Sequence, residues 1–373
     1  MSVLPTYTKM DIKTDKLSQA REIISETDQK IAELFEKRMQ AVRLVAEYKK
    51  ENGLPVLDSA REEYLINKNS AFVTDEEIRE YYINFQRNSM EISKRFQKRL
   101  LEKMKIAYSG IEGAFAYIAA SKIFPDGDKI SYKNFKAAYE AVENGECDCA
   151  VLPIENSNAG EVGQVIDLLF SGSLYVNNVY TLSVYHNLVT LPGARMEDIE
   201  TVVSHQQAID QCQPFIRKFS LKTKPCANTA IAAQMVAQSG DKSLAAIASR
   251  QTAELYGLNI LKEHINESES NTTRFAVLSR VMHKSNNDHS VIVFVVPEKA
   301  GALAKAVNII GNHGFNMRCI KSRAVKNQMW SYYFYVEIEG NLQSKRGKYM
   351  LDELSDFCDS LKFIGTFNSD EKI

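Results

Sequence analysis

Along the first hundred residues, apolar side chains recur at three- and four-residue steps, the period of an α-helix with one covered face. Ile24, Ile31, Phe35, Val42 and Val45 form such a stripe in a helix expected from about Leu17 to Lys50. Asp58 and Ser59 offer an N-cap for a second helix. Thr74-Asp75-Glu76-Glu77 reads as a capping box opening a third, which runs to about Lys103. This stretch holds a single glycine, Gly53, and is dense in Glu, Lys, Arg and Gln, as an all-α unit requires.

From Lys105 the pattern changes to short apolar runs alternating with helical stretches. Strands are expected at Ile106–Tyr108, Ala150–Leu152, Tyr180–Val189, Thr201–Ser204 and Leu244–Ala248. Helices are expected after the Gly-containing turn Ser109–Phe115, and over Ala137–Asn144, Val162–Phe170, Ala208–Phe219 and Thr229–Ser239. That alternation specifies an α/β domain, long enough for two lobes with a cleft between them. The turn at Ser109–Phe115 lacks the third glycine of a dinucleotide fingerprint.

After a polar linker, Ser285–Asp288, the order is strand (Ser290–Val296), helix (Ala302–Asn312), strand (Asn316–Val325), strand (Met329–Glu339), helix (Lys345–Leu361), strand (Phe363–Phe367). A βαββαβ order is that of the ferredoxin-like α+β arrangement. The expected domains are therefore residues 1–104, 105–284 and 285–373.

Composition narrows the partners. Lys+Arg number 46 against 47 Asp+Glu, a formal net charge of −1, which argues against a nucleic acid or a membrane surface as the main partner. No apolar run approaches membrane-spanning length, and the polar stretch Met1–Lys16 lacks a signal-peptide core. The cysteines, at 147, 149, 212, 226, 319 and 358, are scattered, and Cys147-Asp148-Cys149 is too closely spaced for a usual zinc knuckle. They read as reduced thiols of a cytoplasmic protein, with no metal site.

The candidate chemistry begins with an anomaly. Continuing the stepping of the first helix puts Arg21, Arg38 and Lys49 on the stripe that should be buried, and cations there are costly unless anions meet them. The third helix repeats it, because the steps Ile83, Gln86, Met90, Ser93, Gln97 bring polar groups inward. Asp58, Arg61 and Glu62 cluster at the start of the second helix. One reading is a coiled coil with snorkelling cations and internal ion pairs. The other is a pocket for a small dianion. Arg21 and Arg38 stand roughly 25 Å apart along a helix, beyond the reach of one small ligand, so the pocket predicts a dimer in which each Arg21 serves its partner's site.

These residues resemble the all-helical chorismate mutases, which are intertwined dimers. By that resemblance Arg21 is the arginine donated across the dimer, Arg38 holds a substrate carboxylate, and Lys49 and Gln97 reach the ether oxygen. Asp58, Arg61 and Glu62 match the second-helix trio, and Ser93 pairs with Gln97 on the third helix. The implied reaction, rearrangement of chorismate to prephenate, is unimolecular. It needs the compact conformer held and positive charge at the breaking ether oxygen.

A second constellation starts at Val151-Leu152-Pro153-Ile154-Glu155-Asn156-Ser157, a strand end turning into polar side chains before a helix. Such a place holds ligands in open α/β sheets, or else marks a helix start capped by Ser157 or Asn158. With Ser204-His205, Gln211-Cys212, Asn228-Thr229, Ala245–Ala248, Leu255–Leu258 and Thr273-Arg274-Phe275, in that order, the span 106–282 resembles prephenate dehydratases. One departure is Gln206, where that family usually has proline. The resemblance implies loss of the ring hydroxyl and a carboxylate from prephenate to give phenylpyruvate, driven by aromatisation, with no cofactor. It assigns Thr273 to the leaving hydroxyl. Glu155, Asn156, Ser157, Ser204, Gln211 and Thr229 are candidate cleft groups, and Arg274 either binds a carboxylate or braces its strand through an ion pair. His205 is a general acid or a helix cap.

In the last domain Gly301-Ala302-Leu303 and Lys321-Ser322-Arg323-Ala324 resemble the GAL and ESRP motifs of the ACT domain attached to such dehydratases. There these motifs surround phenylalanine, and Ser322 and Arg323 join the GAL residues as the expected effector site. Lys321 and Ala324 depart from the motif's acid and proline. The alternatives are a domain that only dimerises, a dehydratase preferring arogenate, and an amino-acid sensor without catalysis.

Overall fold

The computed structural model describes residues 16–268, 270–283, 287–325, 331–368 and 371–373. The chain divides after Lys103 into two compact units. Among the described residues no helix is long and apolar enough to cross a membrane.

Among its described residues the first unit is three helices, Lys16–Glu51, Ser59–Ser70 and Glu76–Leu101. Gly53, at φ +63°, ends the first helix in the left-handed conformation, and the Leu54 N–H returns to the Lys49 carbonyl at 2.9 Å. Asp58 caps the second helix by accepting from the Arg61 N–H at 3.0 Å. The third starts one residue later than the capping box implies. Asp75, not Thr74, is the N-cap, because its carboxylate reaches the Glu77 N–H at 2.9 Å.

Among the described residues of the first helix Arg38, Met39, Val42 and Lys49 are half-buried and Ala46 alone is fully buried, and Arg43 lies over the Phe96 ring of the third helix at 5.7 Å. The expected stripe is mostly bare. Ile24 is 58 % exposed, Ile31 43 % and Phe35 39 %, in the N-terminal half of this helix, where every described residue is exposed.

The second unit is built on two sheets. The larger orders its main strands as 316–324, 332–339, 289–295, 360–367, 175–183, 272–279, 149–156, 105–109 and 128–132. The smaller runs 259–262, 187–190, 244–248, 201–205 and 222–226. Helices Phe115–Ile123, Phe135–Glu143 and Gly163–Ser171 cover the first lobe, and Thr229–Ser239 packs on the second. The C-terminal part follows the order strand, helix, strand, strand, helix, strand, with helices at Ala302–Asn312 and Lys345–Phe357. Its last strand joins the larger sheet at one parallel pair, Gly365 with Val176. A Cβ on Gly365 would lie 2.1 Å from the Val176 carbonyl oxygen, so this junction requires glycine.

Three expected elements are drawn differently. Tyr180–Val189 is two strands, Tyr175–Ser183 and Asn187–Thr190, because the chain leaves one sheet at Val184 and enters the other. Ala208–Phe219 breaks at Cys212 into Gln206–Gln211 and Gln213–Lys218. Pro214 has no N–H and its ring would meet a carbonyl of the preceding turn. The helix expected to reach Leu361 stops at Phe357, and the strand begins at Ser360, where pairing with 289–295 takes over. Ser285 and Asn286 of the expected linker, and the start of the strand expected from Met329, lie outside the described residues.

Candidate active sites

In the helical unit the third helix carries Met90, Ser93 and Gln97 on its buried face, as the sequence pattern anticipates. Ser93 and Gln97 sit one turn apart, and both face the first helix's seam. Arg38 donates to Ser93 Oγ and, at 3.3 Å, to the Ser89 carbonyl. Burial lowers the pKa of its guanidinium. Lys49 Nζ donates to the Val56 carbonyl at 2.6 Å. Gln97 Oε1 is buried, with no partner among the described residues.

Glu62 is half-buried and meets Lys94 Nζ at 3.1 Å, a neighbour the sequence reading missed because it stands beside Ser93 on the helix but outside the family motif. Asp58 and Arg61 are exposed at the helix start, Asp58 as the cap and Arg61 over the Tyr64 ring at 5.5 Å. Arg21 lies on the bare half of the first helix. One chain thus gathers Arg38, Lys49, Ser93 and Gln97 on one seam and leaves Arg21 away from it.

In the second unit a cleft of about 420 Å³ opens between the lobes. Asn156, Gln211, Thr229 and Thr273 of the expected set line it, together with His186, His205 and Asn271. Asn156 Oδ1 accepts the N–H groups of Asn158 and Ala159 at 3.0 and 2.9 Å, which fixes the orientation of its amide. Its Nδ2 then lies 2.9 Å from Thr273 Oγ1 as a donor. Thr273 Oγ1 therefore accepts from the protein, and its own proton remains to give. Thr229 opens the helix Thr229–Ser239, capped by Asn228 Oδ1 on the Ile231 N–H at 2.8 Å. The positive end of that helix faces the cleft, where it favours a carboxylate. His205 stands at a helix N-cap position, but its side chain makes no cap hydrogen bond.

Four expected cleft residues are committed elsewhere. Ser204 is fully buried and donates to the Ile247 carbonyl at 2.8 Å, tying two strands of the smaller sheet. Ser157 is exposed and donates to the Ser270 carbonyl at 2.9 Å. Arg274 pairs with Glu155 at 3.1 Å and takes both oxygens of Glu337 at 2.9 and 3.1 Å, while Lys321 meets the other oxygen of Glu155 at 2.7 Å. The physical reason is strand alternation. Glu155 and Arg274 immediately adjoin Asn156 and Thr273, so their side chains leave by the other face. Arg274 therefore braces its strand, and Lys321 supplies the countercharge to Glu155.

Burial alone would lift the Glu155 pKa, but Lys321 and Arg274 outweigh it and hold the carboxyl below the ordinary range. Its contribution to stability is present above the unfolded carboxylate pKa and is lost as pH falls through the lower folded one. Glu337 is only 2 % exposed, so removing it strands a buried guanidinium. Glu337→Leu is expected to cost about 3 kcal/mol in urea unfolding, with much of it recovered in Glu337→Leu/Arg274→Met. A single substitution that leaves the midpoint unchanged would show the bridge to be energetically idle.

In the C-terminal part, Gly301, Ala302, Leu303 and Ser322 line a cavity of about 810 Å³ with Tyr332 and Phe334. Arg323 does not line it. Its guanidinium meets Asp167 at 2.8 Å and also Glu161, both in the lobe of the larger sheet, again because it follows Ser322 on a strand.

The chorismate mutase type II family model matches residues 20–98, and the prephenate dehydratase family model matches residues 106–283. A bifunctional chorismate mutase/prephenate dehydratase of Enterobacter agglomerans is 31 % identical over 95 % of this chain and 96 % of its own length. Arogenate dehydratase/prephenate dehydratase 1 of Arabidopsis thaliana, a chloroplastic protein, is 34 % identical over 72 % of this chain and 73 % of its own. The crystal structure of prephenate dehydratase in complex with L-Phe from Arthrobacter aurescens superposes with a TM-score of 0.67 at 26 % identity, covering 71 % of this chain and 90 % of that one.

Proposed function

Because the chain belongs to the bifunctional chorismate mutase/prephenate dehydratase family, we propose that its helical unit turns chorismate into prephenate and its cleft turns prephenate into phenylpyruvate, under feedback by L-phenylalanine. The observation that carries the reading is the joint presence of two differently built sites on one chain: the Arg38–Lys49–Ser93–Gln97 seam and the Asn156–Thr273 pair.

The first step needs no proton transfer. Arg38 and Arg61 suit the two carboxylates, Glu62 the hydroxyl, and Lys49 with Gln97 the ether oxygen as it gains electron density. Arg21 completes the site from a second copy, and the bare apolar half of the first helix supports that exchange. In the cleft, Thr273 gives its proton, or a strong hydrogen bond, to the departing hydroxyl. The helix start at Thr229 receives a carboxylate, and loss of carbon dioxide delivers the electron pair that aromatises the ring.

The C-terminal part is read as an ACT domain of ferredoxin-like order, with phenylalanine in the cavity beside Gly301, Ala302, Leu303 and Ser322. The neighbouring dehydratase solved with L-Phe supports that ligand. Lys321 in place of an acid is compatible with it, since its partner is Glu155 rather than the cavity.

The test is to feed the purified chain chorismate and follow prephenate and phenylpyruvate over time, with and without phenylalanine. Transient prephenate followed by phenylpyruvate, slowed by phenylalanine, is the expected course. Prephenate that accumulates unchanged would refute the second activity. Because the Arabidopsis relative carries arogenate in its name, arogenate is run beside prephenate.

A further inference from the structure

Deep in the cleft wall the polar side chains form one ordered chain, and its far end is a residue with no assigned role. The order starts at the backbone: the N–H groups of Asn158 and Ala159 make Asn156 Oδ1 the acceptor and Nδ2 the donor. Asn156 Nδ2 donates to Asn271 Oδ1 at 2.9 Å, so Asn271 must present Nδ2 onward, and it does, to Gln211 Oε1 at 3.0 Å. Gln211 Oε1 is thereby an acceptor, and the imidazole nitrogen 2.9 Å from it, His186 Nε2, has to carry the proton.

His186 is itself fixed. It is 3 % exposed and lies where the chain crosses from one sheet to the other. Its N–H donates to Asn266 Oδ1 at 3.0 Å, and its carbonyl accepts from the Ile265 N–H at 2.8 Å. The Phe115 ring packs edge-on at 6.0 Å. Nδ1 is left buried, with no partner among the described residues.

We propose that His186 is a positioning residue of the dehydratase: its Nε2–H locks the Gln211 carboxamide and, through Asn271, holds the Asn156–Thr273 pair in the order that leaves the Thr273 proton free for substrate. The proposal rests on the reading of the cleft as the prephenate site. The chain spans both lobes, since Gln211 belongs to a helix of the smaller-sheet lobe and Asn156 and Thr273 to strands of the larger sheet. With one donor removed, Gln211 Oε1 keeps only Asn271, and rotation of its amide would pass the wrong group to each neighbour in turn. His186 does not serve as the acid in this arrangement. Its proton faces Gln211, and Nδ1 has none to give.

The experiment compares three full-length variants on prephenate, with mutase turnover and the unfolding midpoint measured on the same preparations. His186→Phe keeps a ring and loses the N–H. It is expected to lower the dehydratase kcat about 10- to 100-fold with KM within about threefold, the signature of a displaced reacting group. His186→Gln, which can still offer an N–H to Gln211, is expected to recover most of kcat with an unchanged pH profile. His186→Asn, too short to reach, should behave like the Phe variant and stands in for it if that variant does not fold.

In a Gln211→Leu background the loss of His186 should cost nothing further. The proposal is overturned if His186→Phe turns over like the parent, if only KM moves, or if His186→Gln is as slow as His186→Phe with a limb of the pH profile gone, which would make the imidazole a direct proton carrier. A parent protein that leaves prephenate intact would instead overturn the reading of the cleft itself.

Discussion

Thr273→Ala is expected to cut phenylpyruvate formation from saturating prephenate by about 100-fold or more, while chorismate consumption by the same preparation stays at the parent rate. The size follows from what the hydroxyl can do. Departure of the ring hydroxyl puts charge on an oxygen that the active site must neutralise. Asn156 Nδ2, 2.9 Å from Thr273 Oγ1, occupies the lone-pair side of the threonine, so its O–H is turned outward. An alanine removes that donor, while the Asn156 amide keeps Asn271 Oδ1 and the Thr272 carbonyl as acceptors. Thr273→Ser keeps the hydroxyl and is expected to retain a large part of kcat, whereas Thr273→Val, equal in shape, should match alanine. Loss of both activities in a folded Thr273→Ala protein would deny that the two sites are separate.

Much of this was legible in the residues, and the parts that were not share physical causes. The three helices and the inward polar steps at Ser93 and Gln97 follow from a 3.6-residue period, which survives whatever the helix packs against. The strands 128–132, 222–226 and 259–262 left no such trace. Lys222–Cys226 lies at a sheet edge and is almost wholly exposed, so it has no apolar run to betray it. The change of sheet at Val184 was hidden for the opposite reason. Leu182, Val184, Leu188 and Val189 are buried on both sides of it, and no glycine or proline between them marks a break.

The motifs stand at the cleft, but not every candidate member turns toward it. Asn156 and Thr273 face the cleft, and two-residue periodicity alone sends Glu155 and Arg274 to the other side. The same alternation separates Ser322, at the cavity, from Lys321 and Arg323, which reach the dehydratase strands and helix. A lysine where an acid is usual makes sense only once Glu155 is seen opposite it, and that pairing joins positions 166 residues apart. Asn271 left a signal in its spacing, two residues before Thr273 and just ahead of that residue's strand. His186, within an apolar run, left none.

Lys49→Ala is expected to reduce mutase kcat/KM about 1,000-fold and to leave dehydration of supplied prephenate untouched, so that chorismate no longer yields phenylpyruvate. The rearrangement offers the protein no covalent step to assist, and its gain comes from fixed charge at the ether oxygen. Lys49 is the cation on the seam nearest the exit of the first helix, tethered by the Val56 carbonyl, and Gln97 holds an unpartnered Oε1 on the facing helix. Its half-buried stem packs little, so the unfolding midpoint should hardly move. The stronger form of the prediction uses the distance between Arg21 and Arg38. If each Arg21 serves the other subunit, Arg21→Ala and Lys49→Ala proteins, each inactive alone, complement on mixing. The Arg21→Ala subunit keeps Lys49 and receives an intact arginine, while its partner's site has neither, so random pairing restores about a quarter of the sites. Complementation at that level requires an exchanged helix. Two silent proteins that stay silent after unfolding and refolding together would place Arg21 outside the site.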